Sequence, residues 1–359
     1  MSVFRINRKQ KRETVMNWKT LSGCAAVGCL LSTAAVAEDL TIKVVGNIGI
    51  TTQSQTLERP FWETGIGEVS DGRIGADFKP WNEMGLKGPE VFRLLGSGIM
   101  NVATAQLGHH AGDAPINDAT DLAGLSPTID QFRDVTEAFR PALVQFYRDK
   151  LGLEPLTLQS YQAQILYCRD EISGLADLDG RKVRSSGASQ ADFLGYFGAT
   201  AVPMAFGEVQ QGLQQGVIDC AITGTLGGYS AKWHEGAGYL YTLPINWGAG
   251  ATVANKAWWD GLGEADRTLL QDELAKLQEA MWALNAEENE IGINCNTSGP
   301  CPLGEPAGMM RVDPSEDDIA LREKAMREAV LPGFKQRCGA DCVGTFNSTI
   351  GPVVGLTIE

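Results

Sequence analysis

"DLDGRKVRSSGASQADFLGYFGATAVPMAFGEVQQGLQQGVIDCAITG", residues 177–224, decides the architecture. "DLDGRKVRSS" reads as a turn followed by a short strand. "ASQADFLGYFG" reads as a helix with Gly198 just past its end, where a glycine can take the left-handed conformation. "EVQQGLQQG" is a second helix, stopped by Gly216. "VIDCAITG" is a strand that runs into a loop. Strand, helix, helix, strand in under fifty residues is α/β architecture.

The same alternation extends in both directions. Upstream, "LTIKVVGNIG" (residues 40–49) is a β-branched first strand ending in a glycine loop. "TLERPFWETGIGEVS" predicts a helix, "RIGADFKPW" a second strand, and "GPEVFRLLGSG" a short helix with Pro89 near its start. "IMNVATAQL" predicts a third strand, helices follow over "TIDQFRDVTEAFRPALVQFYRDKLG", and "LEPLTLQSYQAQILYCRD" reads as extended. Downstream, "YTLPINWGAGATVAN" is extended and returns toward the first half. "EADRTLLQDELAKLQEAMWALNAEENEIG" is a long amphipathic helix, with Leu269, Leu270, Leu274, Leu277, Met281 and Leu284 recurring at three and four residues. Two lobes are expected, with ligand in the crevice beyond the strand ends.

The 359 residues carry a formal net charge of −14. Residues 1–37 read as a signal peptide: a basic start with Arg5, Arg8, Lys9, Lys11, Arg12 and Lys19, then "LSGCAAVGCLLSTAAVA" ending in the small-x-small pattern Ala35-Val36-Ala37. Met16 is an alternative start. "LSGC" at Leu21–Cys24 mimics a lipoprotein box but precedes the apolar run rather than following it. Removing six basic and one acidic residue with this segment moves −14 to −19. Such a chain is expected to bind neither nucleic acid nor an anionic membrane surface. An anionic small ligand remains open, because a buried arginine governs its local field.

Export takes Cys24 and Cys29 away and leaves six cysteines, an even number in an oxidising compartment. Cys295 and Cys301 bracket "NTSGP", and Cys338 and Cys342 bracket "GAD". Proximity favours these two pairs, each closing a local loop. Zinc is the rival for the four, but no histidine is near them in sequence. Cys168 and Cys220 either pair or stay as buried thiols, and spacing leaves that open. The chain shows no G-x-S-x-G, no G-x-G-x-x-G, no P-loop and no H-E-x-x-H. Neither catalytic residues, a cofactor nor a metal is expected. The pair His109–His110 has no third ligand of fixed spacing and reads as a solvent-facing loop.

Within the opening stretch, Asp177, Leu178, Gly180, Lys182 and Arg184, then Gly198, Ala199, Met204, Phe206, Glu208, Val209, Leu213, Gln214, Gly216 and Asp219 resemble the signature of the TRAP transporter solute-binding proteins, the DctP-type dicarboxylate-binding-protein family. "GLKGPEVFRLLGSGIMNVATA" and "VANKAWWDGLGEADRTLLQDEL" resemble the family too, so the likeness covers residues 40–330. It implies a two-lobe periplasmic-binding-protein-like fold with hinge strands and a long helix in the C-terminal half. Lobe I would comprise 38–161 and 248–290; lobe II would comprise 162–247 and 291–359, with a disulfide-stapled tail.

The resemblance also implies a function and a site. A small organic acid would be captured in the periplasm and delivered to the small and large TRAP membrane subunits, by a monomer and without catalysis. Arg184 would grip the ligand carboxylate with two parallel hydrogen bonds, as a planar guanidinium can and a lysine cannot. Ser186 is a neighbouring hydroxyl donor. Phe206 either packs on the ligand or fills the core. Thr223 stands where relatives that bind large acids have asparagine; Gln106 ends the third strand; Asn47 lies in the loop after the first. Trp247 either walls the pocket or fills the hinge. Gln164 stands where some members carry a second arginine, which favours a monocarboxylate, with an apolar or aromatic body, over a dicarboxylate. Cys220 replaces the usual glycine. Two other functions share these residues. A sensory binding protein would present its ligand to a membrane receptor. A secreted enzyme would use Arg184 as a substrate clamp and would need a base or nucleophile converging on it.

Overall fold

A computed structural model describes residues 40–359. The signal-peptide expectation falls on residues 1–37 and lies outside the described residues. The strands are β1 Leu40–Gly46, β2 Ile74–Pro80, β3 Val102–Gln106, β4 Leu153–Ser160, β5 Gln164–Cys168, β6 Lys182–Ser185, β7 Thr200–Pro203, β8 Cys220–Gly224, β9 Tyr239–Asn246, β10 Ala249–Asn255 and β11 Met310–Val312. The helices are α1 Ile66–Val69, α2 Val91–Gly96, α3 Ile129–Phe146, α4 Ala188–Tyr196, α5 Val209–Gln214, α6 Thr225–Ser230, α7 Lys256–Asp260, α8 Glu264–Asn296, α9 Glu316–Ala325 and α10 Leu331–Val354.

The strands form two sheets, ordered β2-β1-β3-β10-β4 and β11-β9-β5-β8-β6-β7. In the first, β1 is parallel to β2 and β3, while β10 runs antiparallel between β3 and β4. In the second, β6 is parallel to β7 and β8, and β5 is antiparallel to β8 and β9. The chain passes from the first sheet to the second between Ser160 and Gln164, and returns between Asn246 and Ala249. Each of the two long extended stretches in the sequence is therefore a pair of strands in different sheets, broken at the crossing. Strands β7 and β11 are short and mostly solvent-facing, and no alternation in the sequence announced them.

The faces of the first sheet explain two helices. The apolar stripe of α8, Leu270, Leu274, Leu277 and Met281, is buried with Ile42, Val44, Ile74 and Phe78. On the other face, Val45, Ala103 and Ala105 share a core with Phe132, Val135 and Phe139 of α3. Helix α3 starts at Thr128, whose Oγ1 accepts a hydrogen bond from Gln131 N at 3.2 Å and satisfies one of the orphan donors of the first turn. At 33 residues, α8 is roughly 50 Å long, enough to run alongside both sheets.

Among the described residues three disulfides are present: Cys168–Cys220, Cys295–Cys301 and Cys338–Cys342. The first joins directly opposed residues of β5 and β8, with Cα atoms 4.1 Å apart. The third corrects the local-loop expectation, because its cysteines lie within α10, next to a kink at Gly339. Helix α10 packs against both α3 and α4. Among the described residues, no helix is long and apolar enough to cross a membrane.

Candidate functional site

A cavity of about 860 Å³ opens between the two sheets, and a smaller recess continues inward from it. Ile48, Trp81 and His109 line it from the first sheet; Arg184, Ser186, Met204 and Phe206 line it from the second. The recess is walled by Gln106, Tyr161, Gln162, Gln164 and Thr223, with Thr51 at its edge. Its position follows from topology: β1, β3 and β6 all point their carboxyl ends at this crevice, so Ile48, Gln106 and Arg184 meet there.

Arg184 is the only described charged residue that is buried in this wall, at 4% exposure. Its Nε donates to Met204 O at 3.1 Å and its Nη1 to Ile222 O at 2.8 Å. The guanidinium lies 5.5 Å over the Trp233 ring, a favourable cation–π contact. Burial lowers its pKa to about 10, which leaves it fully protonated at neutral pH. Among the described residues, no carboxylate ion-pairs with it. Two of its five N–H groups, one on Nε and one on Nη1, are taken by carbonyls, which leaves one on Nη1 and both on Nη2 for another acceptor. A buried cation without a counter-charge is costly, and an incoming carboxylate would remove that cost.

His109 was missed as a site residue. The expectation of a solvent-facing His109–His110 loop is wrong: His110 is buried and stacked on Phe92 at 4.0 Å, and His109 lines the cavity. The segment after β3 forms a short helical turn that folds inward, which the polar sequence alone does not announce. Burial, and secondarily the charge of Arg184, lowers the pKa of His109 to about 4, so the ring is neutral. Its Nδ1 is buried without a hydrogen-bond partner among the described residues, and a Cβ at Gly88 would sit 2.0 Å from it. Glycine at 88 makes room for the imidazole. Trp81 meets that ring edge-on at 6.5 Å.

The structure brings together Arg184, Ser186, Phe206, Thr223, Gln164 and Gln106. Phe206 is partly exposed in the wall, packs against the core behind it and tilts against Trp233 at 5.2 Å. Gln164 Nε2 donates to Gln162 O at 2.9 Å. Gly248 takes a positive φ of 77°, and a side chain there would approach both the Gln106 and Gln164 amides to 3.2 Å. Two expected residues do not line the cavity. Asn47 is buried beneath the β1 loop; its N donates to Glu58 at 2.8 Å and its Oδ1 accepts from Ile48 N at 2.8 Å. Trp247 fills the crossing, its indole N–H donating to Ser126 O at 2.9 Å. Asn47 is displaced because its short side chain closes its own turn, Trp247 because its ring is long enough to reach the core.

Among the described residues, no group of three or more His, Cys, Asp or Glu side chains could hold a metal. What the arrangement offers is an enclosed cation, neutral hydrogen-bonding groups and an apolar wall, split between two sheets. The model of a protein family described as bacterial extracellular solute-binding protein, family 7, matches residues 50–299.

This chain belongs to that family.

Among relatives of this family 7 solute-binding protein, the C4-dicarboxylate-binding periplasmic protein DctP of Rhodobacter capsulatus is 24% identical over 277 residues, 76% of this chain and 82% of that one. The ectoine-binding periplasmic protein TeaA of Halomonas elongata is 30% identical over 146 residues, 40% of this chain and 42% of TeaA, so the chain spans under half of that relative. Solved structures share the fold. An extracytoplasmic solute receptor of Bordetella pertussis, DctP7, which binds pyroglutamic acid, superposes with a TM-score of 0.75 at 19% identity, over 86% of this chain and 99% of that chain. A TRAP periplasmic solute-binding protein of Desulfovibrio salexigens with bound orotic acid gives 0.77 at 16% identity, over 88% and 99%. The two-lobe α/β fold is that of these receptors.

Proposed function

We propose that this family 7 protein is a periplasmic receptor of a TRAP-type transporter, which captures a small monocarboxylate between its lobes and hands it to the membrane subunits without chemical change. One observation carries the reading: the buried Arg184 guanidinium lines the cavity with no carboxylate of the described residues against it. The relatives support a small organic acid, since DctP binds C4-dicarboxylates and the solved receptors hold pyroglutamic and orotic acids; the choice of a monocarboxylate rests on the cavity.

The cavity's charge supports one carboxylate rather than two. Among the described residues Arg184 is the single buried cation in the wall, Lys87 lining it only as an exposed side chain; His109 is neutral, and the second-arginine position is Gln164. The other end of the ligand would meet neutral groups: Gln106, Gln164, Thr223 and the His109 ring. Its body would lie on Ile48, Trp81, Met204 and Phe206, which suits a ring or short apolar chain. The lobes would be 38–161 with 248–290, and 162–247 with 291–359, closing because the ligand contacts both only when they approach.

A thermal-shift panel of pyroglutamate, orotate, malonate and unbranched mono- and dicarboxylates tests this. A ligand at a hundredfold excess over its Kd stabilises by about 2.7 kcal/mol. A monocarboxylate should raise the melting midpoint of the wild-type chain and leave Arg184→Ala unmoved. A shift that survives in Arg184→Ala would refute the carboxylate clamp, and a preference for malonate would refute the single-charge reading.

A further inference from the structure

Residues 247 and 248 cross from β9 to β10, where neither sheet supplies a ladder partner. Their backbone donors still need acceptors, because unpaired buried N–H groups are expensive. One side chain supplies them. Asp121 Oδ1 accepts from Trp247 N at 2.8 Å, and its Oδ2 accepts from Gly248 N at 2.8 Å and Ala249 N at 3.1 Å. The segment that carries Asp121 holds the crossing elsewhere too: Gly124 N donates to Ile245 O at 2.7 Å, and Trp247 Nε1 reaches Ser126 O. The other crossing is tied to this one, with Tyr161 N donating to Gly248 O at 2.8 Å. A carboxylate that gathers the N–H groups of the two crossing residues and of Ala249, the first residue of β10, lets the torsions of the crossing change while the donors stay satisfied. A strand partner would not allow that.

The same carboxylate is joined to the ligand cavity. Asn246 Nδ2 donates to Asp121 Oδ2 at 2.7 Å. Gln190 Nε2 donates to Asn246 Oδ1 at 2.9 Å. Gln190 Oε1 accepts from Ser186 N at 2.8 Å and Ser186 Oγ at 3.1 Å. Ser186 lines the cavity two residues from Arg184. Gln190 is 2% exposed, and its amide is oriented at both ends by these partners. The chain thus runs from the cavity wall through α4 to the crossing without a gap, and it links the two sheets, since Asp121 follows β3 and Gln190 follows β6.

We propose that Asp121 is the latch of the hinge, and that Gln190 and Asn246 couple it to Ser186 in the cavity wall. Asp121 is then a positioning residue for ligand capture that touches no ligand itself. The role of the cavity rests on the function proposed above; the coupling can be measured without any ligand. Hydrogen exchange of single amides in the full chain provides the readout, since local opening is reported residue by residue. Asp121→Asn turns an acceptor toward a donor and should speed exchange at Trp247, Gly248 and Ala249 by tenfold or more. Gln190→Met keeps the bulk of the side chain, contacts none of those amides, and should speed them several-fold. Ala251 and Val253 in β10 should keep wild-type exchange in both, which a general loss of stability would not allow. Wild-type exchange at 247–249 in Asp121→Asn would overturn the latch. Wild-type exchange there in Gln190→Met would overturn the coupling, and this variant decides the question even if Asp121→Asn fails to fold. If no acid in the carboxylate panel binds, the proposed ligand class fails while these exchange results stand.

Discussion

Arg184 concentrates the case for ligand capture, and its details restrict how capture works. In the proposed capture Nε is already given to Met204 O, so a carboxylate would approach the Nη1/Nη2 end, where one Nη1 N–H is held by Ile222 O. A lysine in its place presents a point charge and cannot reproduce the fork. Arg184→Lys should weaken binding of the panel's best acid by about tenfold or more, equivalent to about 1.4 kcal/mol or above, as read by calorimetric titration; unchanged affinity would show that charge alone suffices. Glu58 supplies a second residue-level prediction. It is fully buried below the β1 loop, and burial raises its pKa to about 7 against opposing hydrogen bonds from Thr104 and Asn47. The raised value favours the protonated acid in the folded state. Its contribution is complete below about pH 4.5 and is lost as pH rises through about 7. Stability should therefore fall over that window by about 2–3 kcal/mol more in the wild type than in Glu58→Gln. Denaturant midpoints of the two chains from pH 4.5 to 8 would show this as converging or parallel curves.

At the scale of elements, the cross-strand disulfide and the two crossings set what can move. Cys168–Cys220 closes 52 residues of sequence, which include β6, Arg184 and Phe206. In the chain-entropy account such a loop is worth about 4 kcal/mol, against about 2 kcal/mol for the four-residue separation of Cys338–Cys342. The double variant Cys168→Ala/Cys220→Ala should consequently lower the denaturation free energy roughly twice as far as Cys338→Ala/Cys342→Ala, by urea titration. Equal losses would mean that the first bridge does not constrain the unfolded chain as its span requires. Strands β5 and β8, which it joins, carry Gln164 and Thr223, so the bridge also stiffens the recess of the cavity.

For the whole molecule, two sheets joined at crossings, with a cavity between them, predict closure on ligand. Small-angle scattering should show a smaller radius of gyration when the panel's best acid is saturating, and no change with Arg184→Ala. Identical scattering with and without ligand in the wild type would mean that the cavity binds without closing. The long helix α8, which touches strands of both sheets, and the terminal helix α10, which packs on α3 and α4, would limit such a closure.

What the residues determined without the fold was whatever repeats locally or carries its chemistry in its own order. The 3.6-residue stripe of α8, the glycine-stopped helices of residues 188–216 and the "DLDGRKVR" turn and strand are all of this kind, and so Arg184 was legible. Tertiary structure alone decided the rest, because it depends on which distant surfaces meet. It turned His109 inward against Gly88 and Trp81, paired Cys168 with Cys220, split two extended stretches between sheets, and took Asn47 and Trp247 out of the cavity wall. It also set Asp121 under three amides more than 120 positions along the chain. A carboxylate's partner at that separation leaves no period or spacing in the sequence; only the folded backbone brings the donors to it.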